Sequence, residues 1–372
     1  MQFSCESTQL AKGVNTVRKA ISSSPNAPLF SGIHMILQGN ELKLVAMDIN
    51  FSMEKTMEVN GQEDGSILVP AQYICDLLAR FNNQVLTVTK KEGDSELSIT
   101  TQTSDYNIPT MDDRDYPAMP AIEEERVLTL PDETLRQLIR QTVYACSADD
   151  QRPLFTGVYL EKKGQAITCV GTNTHRLAIK SVTVDTLDDQ EYSMLIPSRM
   201  LKEIASNLTE EVPETVSLFQ QRNQLLARMK DLKILCSLIE GEFPDFRKPI
   251  PPSFANRSSI DRAGMENILQ RVSLFSQDKY NIVRFAIDGD KITFSSSNSD
   301  RGQGKETLAC TTTGSSLPLT IAFNAKYLME FFKNIDSDEV ILETNTSLSP
   351  ARLMPKDETG YMYIVTPVRV IL

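Results

Sequence analysis

Catalytic raw material is scarce in this chain. Histidine occurs only twice in 372 residues, at His34 and His175, and no H-E-x-x-H, C-x-x-C, G-x-x-x-x-G-K-[ST] or G-x-S-x-G pattern appears. The usual sequence signs of zinc-protease, thiol-redox, phosphate-loop and serine-hydrolase chemistry are therefore missing. Gly302-Gln303-Gly304 is a lone G-x-G with no helix signal behind it, so no phosphate loop is expected there. Asp149-Asp150 and Asp188-Asp189 are adjacent in sequence and read as loop charges, not as a divalent-ion site. Apolar runs are short: none approaches the ~18 residues of a membrane span. The start, Met1-Gln2-Phe3-Ser4-Cys5-Glu6, lacks the basic-then-apolar order of a secretion signal. Six cysteines (Cys5, Cys75, Cys146, Cys169, Cys236 and Cys310) lie far apart and are expected to be reduced thiols in a cytoplasmic protein. No metal, cofactor or catalytic residue is expected.

What the chain has instead is a repeat of domain size. Gly39, Gly164 and Gly289 lie 125 residues apart, and their neighbours follow the same offset: Leu42, Ile167 and Ile292, then Asp48, Asn173 and Asn298. Cys169 takes the place of Leu44 and Phe294, which marks it as a core residue. A second set, Pro70, Pro197 and Asn324, recurs at 127, each after an apolar trio and before a helix-like run. Such a period is too long for a solenoid and matches a whole domain. With 41% apolar and 23% charged residues the chain is not disordered by composition. The expected domains are 1–120, 127–250 and 257–372, of α+β class, each with two helices backed by antiparallel sheets.

Within the first copy, residues 8–23 place Leu10, Val14, Val17 and Ile21 on one helical stripe, with Lys12, Asn15 and Lys19 opposite. Gly39-Asn40 signals a hairpin. Pro70 is expected at the first position of a second helix whose inward residues are Tyr73, Ile74, Leu77 and Leu78. Strands are expected at 85–89 and 97–101. The remaining helices are expected near 131–146, 197–208, 261–276 and 324–335. Asp115-Tyr116-Pro117-Ala118-Met119-Pro120 and Glu242-Phe243-Pro244-Asp245-Phe246 read as extended interdomain linkers.

Charge is distributed unevenly. The chain carries a net −11, yet the six helical segments together carry +5. Basic residues recur on their polar faces: Lys12 and Lys19, Arg80, Arg136 and Arg140, Arg199 and Lys202, Arg271, Lys326 and Lys333. A basic helical surface on an acidic body suits a polyanion held without sequence reading. Solvated helix faces on a protein scaffold that never meets DNA are one rival reading. A hydrolase built on His175, with Asp185 and an unrecognised nucleophile, is another.

Three segments carry a resemblance: Gly171-Thr172-Asn173-Thr174-His175-Arg176-Leu177, Gly241-Glu242-Phe243-Pro244-Asp245-Phe246-Arg247, and Thr366-Pro367-Val368-Arg369. Together with the threefold unit they resemble the bacterial sliding clamp family, the beta subunit of DNA polymerase III, over the whole chain. The resemblance implies a head-to-tail homodimer closed as a ring around duplex DNA, helices inward, tethering the polymerase catalytic subunit. It implies loading by a separate ATP-driven clamp loader and no activity of its own. It further implies a pocket between the second and third domains for short peptides of the polymerase and other clamp-motif proteins. The second-domain wall would be Arg152, Phe155, Thr172, Thr174, His175, Arg176, Leu177, Pro244 and Pro249. The third-domain wall would be Tyr327, Pro350, Ile364, Thr366, Pro367, Val368 and Arg369. Two departures stand out. Members commonly end in P-M-R-L, whereas Val368 follows Pro367 here and Val370-Ile371-Leu372 run on. Some members also carry an arginine in the loop before the first hairpin, where this chain has Ser24, and Asp149 in the matching second-domain loop is no better suited to phosphate.

Overall fold

The computed structural model describes residues 1–21, 28–91, 93–122, 126–184, 190–208, 214–276 and 281–369. Ser24, Asp185, Asp188, Asp189 and Val370-Ile371-Leu372 lie outside these residues. The helices are α1 (Ser7–Val17), α2 (Ala71–Leu78), α3 (Asp132–Thr142), α4 (Ser198–Asn207), α5 (Arg262–Val272) and α6 (Ala325–Phe332). No helix among the described residues is long and apolar enough to cross a membrane.

The repeat is a backbone requirement before it is anything else. Gly39, Gly164 and Gly289 open two-residue turns with φ of +58°, +56° and +64°. The flanking strands close across them as Gln38↔Glu41, Lys163↔Ala166 and Asp288↔Lys291. A Cβ at any of the three would meet nothing within 4 Å. Left-handed backbone, not crowding, therefore demands glycine there. Gly171 differs: a Cβ would sit 2.1 Å from the Thr142 carbonyl oxygen, so close approach of the chain excludes any side chain.

Several expected boundaries shift. α1 ends at Val17, a 3₁₀ turn continues through Ala20, and Ile21 is already extended at φ −64°, ψ 137°. Ile21 therefore does not extend the helical stripe of Leu10, Val14 and Val17, all fully buried. Pro70 is the N-cap of α2, not its first residue, because it still pairs with Gly32 as the end of a strand. α6 has Asn324 in the same place, its side chain accepting from the Lys326 N–H at 2.9 Å. α2 buries Ala71, Ile74, Cys75 and Leu78, an i, i+3, i+4, i+7 stripe. Tyr73 falls off that stripe and is 57% exposed, contrary to its expected inward position.

Contacts divide the chain into two compact units, residues 1–135 with 202–238, and 136–201 with 239–372. The first holds a five-stranded sheet ordered Asn60–Glu63, Gln2–Glu6, Val85–Thr89, Glu96–Thr100, Asp105–Pro109. Its eight-stranded sheet runs Arg126–Pro131, Thr215–Gln221, Gln224–Arg228, Leu232–Ser237, Phe51–Glu58, Glu41–Asp48, Gly32–Gln38, Gly65–Pro70. The second unit has a twelve-stranded sheet: Tyr192–Pro197, Gly157–Lys163, Ala166–Thr172, Arg176–Thr183, Tyr361–Val365, Ala351–Pro355, Glu339–Thr344, Asn256–Asp261, Gly302–Gly314, Lys291–Asn298, Ile282–Asp288, Leu319–Asn324. The middle repeat thus contributes strands to both large sheets. Pairs such as Cys236↔Phe51 and Leu177↔Ile364 fuse it to its neighbours on each side.

In the second unit, Phe285 packs edge-on against Phe294 and Phe323 at 4.7 and 5.3 Å, and α6 adds the fully buried Phe331 and Phe332. Each such ring contributes roughly 1.5–3 kcal/mol by burial. None of the six cysteines, all among the described residues, is in a disulfide. Burial pushes the Cys169 thiol up to about 12, as befits a core residue.

Candidate functional site

The turn from Thr172 to Arg176 is built by its own side chains. The Thr172 hydroxyl donates to the Arg176 carbonyl at 2.6 Å, and the Thr174 N–H donates to that hydroxyl at 3.2 Å. Asn173 Oδ1 accepts from the N–H groups of His175 and Arg176, both at 3.1 Å. Thr174 sits at φ +75°, a conformation that strains a residue with a Cβ. The His175 carbonyl then accepts both the N–H and the hydroxyl of Thr366, at 3.0 and 2.9 Å. This ties the final segment of the third repeat to the turn of the second.

Beside this turn lies an apolar pocket of about 180 Å³, lined by Phe155, Thr172, Thr174, His175, Arg176, Leu177, Phe243, Pro244, Asp245, Phe246, Pro249, Pro350, Ile364 and Thr366. Leu177 and Ile364 are strand partners on its floor. Beneath it, Val170, Leu177, Ile179, Phe246 and Ile364 form one buried cluster with Tyr159 and Phe243 packed against it.

Eleven of the expected wall residues are brought together here, and five are not. Arg152 is exposed at the edge, 3.5 Å from the Thr174 hydroxyl. Tyr327 lies behind the turn, its hydroxyl 3.4 Å from Asn173 Nδ2 and its ring under the Arg176 guanidinium at 4.6 Å. Val368 is outside the lining, its N–H donating to the Ala322 carbonyl at 2.8 Å. Pro367 and Arg369, on either side of it, are also outside the lining.

Arg176 lines the pocket with little of its charge. It is 7% exposed, with its guanidinium hydrogen-bonded to Glu330 and to the Tyr144 carbonyl and stacked between the Tyr144 and Tyr327 rings. Its role is to hold the turn against the third repeat, so orientation of a ligand by this guanidinium is not what the geometry offers. His175 is exposed.

Phe243, Asp245 and Phe246 were missing from the expected walls, although they stand in the very segment that carried the resemblance. The two linkers are also not free spacers. Phe246 and Tyr116 are buried, and Tyr116 packs with Val45, Met47 and Leu68. Arg247 clamps the second linker: it donates to Glu161 at 2.7 Å and covers the Phe246 ring at 4.2 Å. Burial works to raise the Glu161 carboxyl, but hydrogen bonds from Lys163 and Arg247 outweigh it and hold it below the ordinary range.

The expected basic surface divides into two kinds. Lys12, Lys202, Lys326 and Lys333 are exposed and form no ion pair among the described residues. Arg80 and Arg199 are exposed as well, Arg80 lying past the end of α2. Others are engaged: Lys19 with Glu203 at 2.8 Å, Arg140 with Asp336, and Arg271 with Glu306 at 2.5 Å. Arg136 is half-buried. Asp149 accepts from the Gln151 N–H at 3.0 Å and caps its own loop.

Comparison with known proteins agrees with this architecture. The N-terminal, central and C-terminal domain models of the DNA polymerase III beta subunit match residues 1–120, 129–245 and 247–369. A beta sliding clamp of Synechocystis is 26% identical, and one of Staphylococcus epidermidis 27% identical, covering 100% and 99% of both chains respectively. The solved sliding clamp of Bacillus subtilis superimposes with a TM-score of 0.93 at 24% identity, over 100% of both chains. The beta subunit of Streptococcus pyogenes DNA polymerase gives 0.92 at 25%, again over 100% of both. With all three domain models matched in order from end to end, the chain belongs to the bacterial DNA polymerase III beta subunit, or beta sliding clamp, family.

Proposed function

We infer that this clamp works as a homodimeric ring that encircles duplex DNA and gives a DNA polymerase processivity. The observation that carries the reading is the apolar pocket where the turn at Thr172–Arg176, the Phe243–Phe246 segment and the strand ending at Val365 converge. Such a concave apolar site with exposed polar edges suits short partner segments anchored by Leu or Phe. His175, Arg152 and Thr174 would contact the segment at its edge. The polymerase, other clamp-motif proteins and an ATP-driven loader would use the same surface. The domains would run 1–120, 127–250 and 257–372. The chain would act in the cytoplasm without a catalytic site of its own, and its exposed helix lysines would face phosphate.

Dimerisation is supported by two unlike sheet edges. Asp105–Pro109 is the outer strand of the five-stranded sheet, with Tyr106 40% exposed. In the long strand Gly302–Gly314, residues 302–309 pair only with 291–298 among the described residues. Leu274, 67% exposed, follows the helix that Arg271 ties to Glu306 of this strand. Unlike edges joined head to tail close a ring or grow a filament; the reading here is closure.

The test is topological. Protein loaded on nicked circular DNA should stay bound through gel filtration and be released when the circle is cut. Equal retention on circular and linear DNA would sink the reading.

A further inference from the structure

Strand register places one equivalent row of three side chains in each repeat. In the first it is His34, Val45 and Glu54; in the second, Tyr159, Val170 and Ile179; in the third, Arg284, Ser295 and Lys305. The members of each row follow the 125-residue offset on the first two strands. In the third repeat the alternate residues Val283, Phe285 and Phe294 point into the core with α5 and α6. The row itself therefore faces away from the helices.

The first two rows are roofed. Tyr116 lies over His34 at 5.1 Å, and Phe243 lies over Tyr159 at 4.8 Å. Among the described residues no aromatic ring lies over the third. It lies in an open cavity of about 510 Å³, shared with Ile282, Ser297 and Gln303. That is within the range of small-molecule sites, roughly 300–1,000 Å³.

The chemistry has changed along with the roof. Val170 and Ile179 are replaced by a hydroxyl and an ammonium, and Tyr159 by a guanidinium. Neighbouring strands are about 4.8 Å apart, so two cations flank Ser295 in one row. Neither Arg284 nor Lys305 has an ion pair among the described residues, and the adjacent Glu306 is engaged with Arg271. Among the described residues the lining contains no carboxylate.

We propose that the row Arg284–Ser295–Lys305 is an oxyanion site that takes the phosphate group of a small ligand. Guanidinium N–H groups pair with two oxygens at once, the ammonium adds charge, and the serine hydroxyls complete the donor set. The proposal concerns the sheet face opposite the helices and is independent of the DNA and peptide surfaces; Lys305 stands on the 302–309 segment whose free edge is read above as a dimer edge.

Calorimetric titration of the full-length protein with inorganic pyrophosphate, and separately with adenosine triphosphate, tests it. Saturable binding is expected, weakened at least tenfold by Arg284→Ala with Lys305→Ala and unchanged by Lys291→Ala on the same sheet. Ser295→Glu, which sets a carboxylate between the cations, should abolish it independently. Tighter binding of the triphosphate would identify a phosphorylated organic ligand as the source of the phosphate, and equal binding the free anion; both uphold the site. Absence of saturable binding, or binding indifferent to these substitutions, overturns it.

Discussion

Phe243 lies flat on Tyr159, with ring centroids 4.8 Å apart and planes 4° from parallel. Phe155 meets the same Phe243 ring edge-on at 6.3 Å and 73°. The first repeat has the same trio at the equivalent positions: Tyr116 contacts His34 at 5.1 Å and Phe30 at 6.3 Å and 76°. The fold thus uses one device twice, an aromatic from the following segment laid across the sheet. In the second repeat that aromatic also lines the apolar pocket.

Tyr159 and Phe243 should therefore be energetically coupled. A double-mutant cycle to alanine, read by urea unfolding, is expected to give a coupling of about 0.5–1.5 kcal/mol. Phe243→Ala should also weaken a bound partner peptide. Strictly additive single effects would mean that the stacking is incidental.

Much of the scaffold was legible because it rests on local chemistry. The hairpin glycines need positive φ whatever surrounds them, and the strand-to-helix junction at Pro70, Pro197 and Asn324 recurs with its apolar trio. What escaped depends on distant partners. Nothing near Arg176 announces that its guanidinium is buried between Tyr144 and Tyr327, because exposed and buried arginines look alike in sequence. The fusion of the middle repeat into two larger sheets is a matter of which strand edges meet. Phe243 and Phe246 were visible, but Pro244 breaks their periodicity and made the segment read as a spacer.

Thr174 offers a test of strain at the pocket. Replacing it with glycine removes a left-handed cost of roughly 1–2 kcal/mol and adds about 0.5–1 kcal/mol of unfolded-chain entropy. Thr174→Gly should thus be as stable as the parent or up to ~1.5 kcal/mol more stable, whereas Gly39→Ala should lose stability. Chemical denaturation midpoints decide, and a large loss in Thr174→Gly would show that the threonine side chain stabilises the turn by more than its backbone costs.

The Glu161 clasp gives a pH dependence. Its carboxyl is held below the ordinary range in the folded chain, so the unfolded chain binds the proton more readily. The contribution is fully present above the unfolded value, about 4.3, and fades as pH falls through the depressed folded value. The unfolding midpoint should drop on acidification from pH 6 toward 3, and less steeply in Glu161→Gln. Parallel pH profiles for the two proteins would rule out the clasp as a contributor.

Assembly should respond to single charges at the two sheet edges. Leu274→Asp and Tyr106→Asp are each expected to shift the protein from dimer to monomer in light scattering at micromolar concentration. Ile49→Asp, at a site 78% exposed, serves as the control and should remain dimeric. A dimer indifferent to both edge substitutions would place the interface elsewhere.

The helix cations should separate by their engagement. Lys202, Lys326 and Lys333 are exposed without ion pairs among the described residues, so each is available to a phosphate. Arg140 is bound to Asp336 and only partly exposed, so removing it leaves a carboxylate unpaired. Each lost phosphate contact reduces the slope of log affinity against log salt by about 0.9. Lys202→Gln, Lys326→Gln and Lys333→Gln together should lower that slope by up to ~3 per protomer, or ~5 for the dimeric ring, leave the thermal midpoint unchanged and show no base preference. Arg140→Gln should instead lower the thermal midpoint while barely moving the slope. If Arg140→Gln flattens the salt dependence as much as the lysine variants do, its guanidinium leaves Asp336 for phosphate, and the ion pair seen without DNA is a resting contact of a DNA-binding residue.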